Sequence, residues 1–139
     1  MEDKLWLFAD EKTGEVSPYD YLKKAAKKLS EDTEDMFHGD VMQNINDDGK
    51  IICSFYLVVP KLRNYTYRLI EIVQPSFDQS YPVEMSLFGT AVGNIVRIFD
   101  VTEKDFENQL NGFIGNPLTR HILLALKTQL EIYKDYSNV

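Results

Sequence analysis

The run Lys50-Ile51-Ile52-Cys53-Ser54-Phe55-Tyr56-Leu57-Val58-Val59 constrains the fold more than any other stretch of the chain. It is dense in β-branched and aromatic residues, shows no helical period and stops at Pro60. Ile51, Cys53, Phe55, Leu57 and Val59 share one face of such a strand, and Ile52, Tyr56 and Val58 share the other. A strand apolar on both faces is usually central and covered on both sides. The pattern therefore predicts a sheet whose centre is closed on both faces and offers no broad open surface to a ligand. Just upstream, Asp40 to Ile45 has the same period of two, and Asn46-Asp47-Asp48-Gly49 lies between the two runs. Asp and Gly accept the left-handed backbone of a tight connection, so this segment reads as a hairpin.

Three more strands follow. Tyr65 to Gln74 places Tyr65, Tyr67, Leu69 and Val73 in alternation with Thr66, Arg68, Ile70 and Ile72. Pro75 to Ser80 reads as a loop. Pro82 opens a strand through Val83, Met85 and Leu87, Gly89 to Gly93 a turn, and Asn94 to Phe99 the last strand. With short connections, each strand is expected to run antiparallel to the one before it, as a meander.

The flanks are helical. Ser17-Pro18-Tyr19-Asp20 supplies a cap, a first-position proline and an early acid. Leu22, Ala25, Ala26 and Leu29 then recur at helical spacing, and Glu31 to Asp35 forms the exit. Near the other end Thr102 is a candidate cap for a helix carrying Phe106, Leu110, Phe113 and Ile114. Asn116-Pro117 restarts a helix with Leu118, Ile122, Leu126 and Leu130 at fourfold spacing, expected to lie on the sheet. Leu5 to Phe8 reads as a short strand or docked arm, Asp10 to Gly14 as a turn and Asp135 to Val139 as a frayed tail. Residues 1–139 contain no repeat or linker, so the chain reads as one α+β domain. It has one helix before an antiparallel sheet of about five strands and two helices after it.

Charge and cysteine content narrow the functional classes. Lys and Arg number 15 against 22 Asp and Glu, a formal net charge of −7. That balance disfavours general nucleic-acid binding; it would suit a basic protein partner, but solubility alone is the favoured reading of it. Cys53 is the single cysteine, so no intrachain disulfide can form, as in a reducing compartment. The first residues lack the basic start and long apolar stretch of a secretory signal, and no run is long enough to span a membrane. The expectation is a cytoplasmic protein.

Several groupings mimic functional sites. Asn44 to Gly49 begins like a calcium loop, but the twelfth position, which needs a bidentate acid, is Phe55. His38 and Asp40 stand near Asp35, while the other histidine, His121, falls on the last helix. A zinc site needs three or four ligands, so a surface histidine beside acids is the favoured reading. Cys53 could pair with a histidine as a nucleophile, but its place in the most apolar strand favours a core residue. Lys23, Lys24, Lys27 and Lys28 read as a solvated helix face. Asn64-Tyr65-Thr66 matches a glycosylation acceptor that a cytoplasmic chain would not use, and Gly89 to Gly93 is a turn with accidental dimer-motif spacing. No phosphate-binding glycine loop, dinucleotide fingerprint or nucleophile elbow is present.

The loop from Gln74 to Pro82 stands apart. It carries Phe77, Asp78 and Tyr81 between Pro75 and Pro82. Aromatic rings on a proline-stiffened loop lose little entropy on binding and make good contact anchors. Equally, both rings can fold back to plug the edge of the core. With no catalytic set, metal ligands or cofactor fingerprint, the favoured reading is a non-enzymatic protein-binding module, of an immunity, inhibitor or assembly-subunit kind. The alternatives are a small-molecule or enzymatic pocket between sheet and helices, and a structural homodimer.

Overall fold

A computed structural model describes residues 15–90 and 93–137 of the chain, and side chains as far as residue 134. Helix α1, Pro18–Asp32, is followed by strands β1 (His38–Ile45), β2 (Ile51–Val59), β3 (Tyr65–Gln74), β4 (Val83–Phe88) and β5 (Ile95–Val101). Helices α2, Glu103–Ile114, and α3, Pro117–Ser137, come last. The strands form one antiparallel sheet in the order β1-β2-β3-β4-β5, the predicted meander. The proposed arm at Leu5 to Phe8, the turn at Asp10 to Gly14 and the last residues of the tail lie outside the described residues.

Local chemistry accounts for the element ends. Ser17 Oγ accepts the Asp20 N–H at 3.1 Å, the capping bond expected for α1. At its far end Thr33 Oγ1 donates to Leu29 O at 2.7 Å and accepts the Phe37 N–H at 3.2 Å, which turns the chain into β1. Asn116 Oδ1 accepts the Leu118 N–H at 2.9 Å at the start of α3. Thr102 occupies the cap position of α2, but its hydroxyl faces Asp105 Oδ2 at 3.4 Å instead of a backbone amide. In the β1–β2 hairpin Asn46 Oδ1 accepts from both Asp48 N and Lys50 N, at 3.0 and 2.9 Å, and Gly49 adopts φ +76°. The amide oxygen that a calcium loop would need is thus consumed in holding the turn.

Among the described residues the helices pack on one face of the sheet. Val41, Ile51, Cys53, Phe55, Leu57, Ile70, Ile72, Val83, Met85 and Leu87 meet Leu22, Phe106, Leu110, Phe113 and Ile122 from the three helices in one buried cluster. Gly39 makes the closest approach: a Cβ there would lie 2.7 Å from both Ala26 Cβ and Phe55 Cζ. α1 can therefore rest on β1 only because position 39 has no side chain.

On the opposite face no helix among the described residues forms a second layer, although Ser54 and Ser86 near its centre are 4 % and 7 % exposed. Ile52, Tyr56, Val58, Val73 and Phe88 are only half-buried, Met42 is 47 % exposed, and none of them belongs to the buried cluster. Apolar and aromatic residues suit any pleated, half-buried surface through contacts with their cross-strand neighbours. Their presence on both faces therefore does not require a second layer. The Arg68 guanidinium lies 4.5 Å from the Phe88 ring centre and 3.2 Å from Glu71, so its side chain shields part of this face.

Two bulges also break the strict alternation read from sequence. Phe55 pairs with Ile70 and Tyr56 with Arg68, leaving Leu69 as the extra residue of β3. Side-chain parity changes there, so Tyr67 shares a face with Ile70 and Ile72. In the β4–β5 pair, Met85 aligns with Ile98 and Val83 with Val101, and Asp100 sits at φ +54° within the irregularity.

Candidate functional site

The pairing of strands gathers one set of connections at one end of the sheet. The β1–β2 hairpin, the β3–β4 loop and the β5–α2 junction all lie there. The two aromatics of the loop part company. Tyr81 turns inward: it is 9 % exposed, its hydroxyl donates to Val16 O at 2.6 Å, and its ring meets Phe106 edge-on at 5.7 Å. Burial, with Tyr21, Glu103, Glu15 and Asp20 nearby, pushes its phenol well above the ordinary value, so it stays protonated. Phe77 turns outward and is 70 % exposed. A bond between Ser76 and Asp78 and one from Gln79 N–H to Ser76 O at 3.4 Å hold the loop tip around it.

The surroundings of Phe77 are acidic. Asp78 follows it, and Asp47 and Asp48 stand on the neighbouring hairpin, two strands away. Further along the same end lie Glu103, at the start of α2, and Glu15; Glu103 accepts the Val16 N–H at 3.3 Å. Lys50 and Lys104 are the cations of these segments among the described residues. Ile45, 57 % exposed where β1 enters the hairpin, adds a second apolar side chain to this end. The result is one exposed aromatic ring and one exposed aliphatic side chain among carboxylates, on an end roughly 19 Å wide at about 4.8 Å per strand spacing.

The residues that resembled catalytic or metal groups are kept apart. Cys53 is fully buried, and its sulfur lies 3.5 Å from both Gln43 Oε1 and Gln74 Oε1. Burial pushes its thiol up to about 11, so it is not a thiolate near neutral pH. His38 pairs across from Val58, which puts it on the other face of the sheet from Cys53. Its Nε2 is 3.6 Å from Asp35 in an exposed pair. His121 is exposed on α3. Among the described residues no three His, Cys, Asp or Glu side chains are grouped so as to hold a metal ion. No described helix is long and apolar enough to cross a membrane.

One apolar cavity had no sequence signal. It has a volume of about 180 Å³ and lies where the three helices converge on the sheet. Phe55, Leu57, Leu69 and Ile70 form its floor, Ala25 and Leu29 one wall, and Leu110, Ile114 and Leu123 the others. Lys28, Asp32 and Asn111 stand at its polar edge. Thr119 also lines it, but its hydroxyl already donates to Phe113 O at 2.6 Å. The walls come from five different elements, so no local spacing could have revealed them. The extra residue Leu69, which helps to shape the floor, exists as a feature only through the β2–β3 register. No family model matches the chain, and no curated protein or solved structure does.

Proposed function

We propose that this chain is a non-enzymatic protein-binding module that engages a basic partner through the Phe77 end of its sheet. The observation that carries the reading is Phe77 itself, a ring 70 % exposed on a loop whose other aromatic is locked into the core. A large apolar side chain held outward on an anchored loop loses little freedom on contact and desolvates readily. Asp78 beside it, and Asp47 and Asp48 on the hairpin at the same end, would steer a cationic surface and select against acidic ones. A chain of net charge −7 adds a long-range field of the same sign. No chemical step is required of any residue at this end.

Placing a photoreactive phenylalanine analogue at position 77 in the native host tests the reading directly. The expected result is cross-linking to one basic protein. Its purified form should then bind the unmodified chain with an affinity that falls steeply with salt. Phe77→Ala and the Asp47→Lys, Asp48→Lys double variant should each weaken that binding at least tenfold. Failure to cross-link, or binding indifferent to salt and to these substitutions, would refute the proposal.

A further inference from the structure

We propose that the cavity between the helices and the sheet is a binding site for a small monocyclic aromatic molecule bearing one hydroxyl group. Size and wall chemistry set the apolar part. An apolar cavity of roughly 150 Å³ lined by aliphatic and aromatic side chains stays dry and accepts benzene. This one, at about 180 Å³, is slightly larger and has walls of the same kind, but it opens to solvent beside Ile114, which is 44 % exposed. The one polar side chain reaching in from α3, Thr119, has its proton committed to Phe113 O. Among the described residues, no buried side-chain nitrogen or oxygen lacks a partner. The interior therefore asks for hydrocarbon.

The edge of the cavity sets the polar part. Lys28 and Asp32 form a solvent-exposed ion pair at 3.5 Å at its mouth, with Asn111 on the facing helix. A cation and a carboxylate side by side offer one donor and one acceptor. A hydroxyl is the small group that both donates and accepts, so it can serve the pair without bringing a net charge. A carboxylate head would meet Asp32 and the overall negative charge, and an ammonium head would meet Lys28. A single ring with one hydroxyl fills the volume and reaches the edge. This site is distinct from the Phe77 end, and neither depends on the other.

Titration of the full chain with p-cresol, toluene and benzoate, read on the methyl resonances of Leu29, Leu110 and Leu123, tests the proposal. Toluene and p-cresol should both shift these methyls. The p-cresol should bind about 2- to 10-fold more tightly, the range that one net hydrogen bond supplies. Ala25→Phe places a ring inside the cavity and should abolish both shifts while the circular dichroism spectrum is retained. If that variant fails to fold, Ile114→Phe fills the site from α2 and carries the same expectation. Unchanged methyl resonances at saturating toluene and p-cresol would overturn the proposal, as would binding that survives both filling substitutions. Equal affinity for the two probes, or tighter binding of benzoate, would overturn the assignment of a hydroxyl ligand.

Discussion

The two faces of the sheet both carry apolar residues in β2 and β3, but the one away from the helices also bears Ser54, Glu71, Glu84, Ser86 and Arg97, and their fates are opposite. On one, Cys53, Ile72, Met85 and Leu87 are fully buried beneath three helices. On the other, Ile52, Tyr56, Val58 and Val73 remain half-exposed. Residues 72 and 73 are adjacent, both β-branched, and separated only by the pleat. The apolarity of a single residue therefore does not decide whether it becomes core. The balance over the whole face decides it, and the gap at Gly39 lets α1 settle on the apolar side. The contrast recurs in miniature at the β3–β4 loop, where Tyr81 is core and Phe77 is surface.

The sharpest way to break this comparison is to truncate both neighbours. Ile72→Ala should destabilise by about 2–5 kcal/mol in urea denaturation, the range for a fully buried aliphatic. Val73→Ala should cost roughly 1 kcal/mol or less, as for partly exposed sites. Equal losses would mean that both faces are closed. Next in size is Gly39→Val, whose new carbon atoms collide with Ala26 and Phe55. It should cost at least about 1–3 kcal/mol, the usual range for overpacking, and Ala26→Gly in the same chain should recover part of it.

Tyr81→Phe removes the bond to Val16 O and leaves the ring in place, so a loss of about 1 kcal/mol is expected. Phe77→Ala should change stability by no more than about 0.5 kcal/mol, because the ring touches little of the core. A larger effect at 77 than at 81 would invert the reading of the loop.

Cys53 tests the covered face by pH. Its thiol is raised by burial from 9.0 to about 11. Above the unfolded value the unfolded chain releases this proton while the native chain keeps it. Stability should therefore fall as pH rises between about 9 and 11. Cys53→Ala should flatten that decline, leaving the part due to the buried tyrosines. An unchanged slope would place the thiol in contact with water.

Much of the architecture was legible because its signals are local. The Ser17-Pro18 start of α1, the Asn46 to Gly49 hairpin and the Asn116-Pro117 restart each depend on residues within one turn of each other. The period of two carried the strands, and short connections implied the meander. Parity within β3 was not legible, since Leu69 becomes an extra residue only when β3 pairs with β2. At the loop, Phe77, Asp78 and Tyr81 stood out by composition, but nothing within nine residues says which ring turns inward. That depends on Val16 and Phe106, 65 residues upstream and 25 downstream of Tyr81, which meet it only in the folded chain.

The sequence alone settled the order and type of the elements, the acidic balance and the core position of Cys53. Each follows from residue identity and near neighbours. Tertiary structure alone decided how closely the helices approach the sheet, that Asp47, Asp48 and Phe77 share one end, and that an apolar space remains between the helices. Those outcomes depend on strand order, on register and on how closely α1 can approach Gly39. They are sums over contacts distant in sequence, and no local pattern contains them.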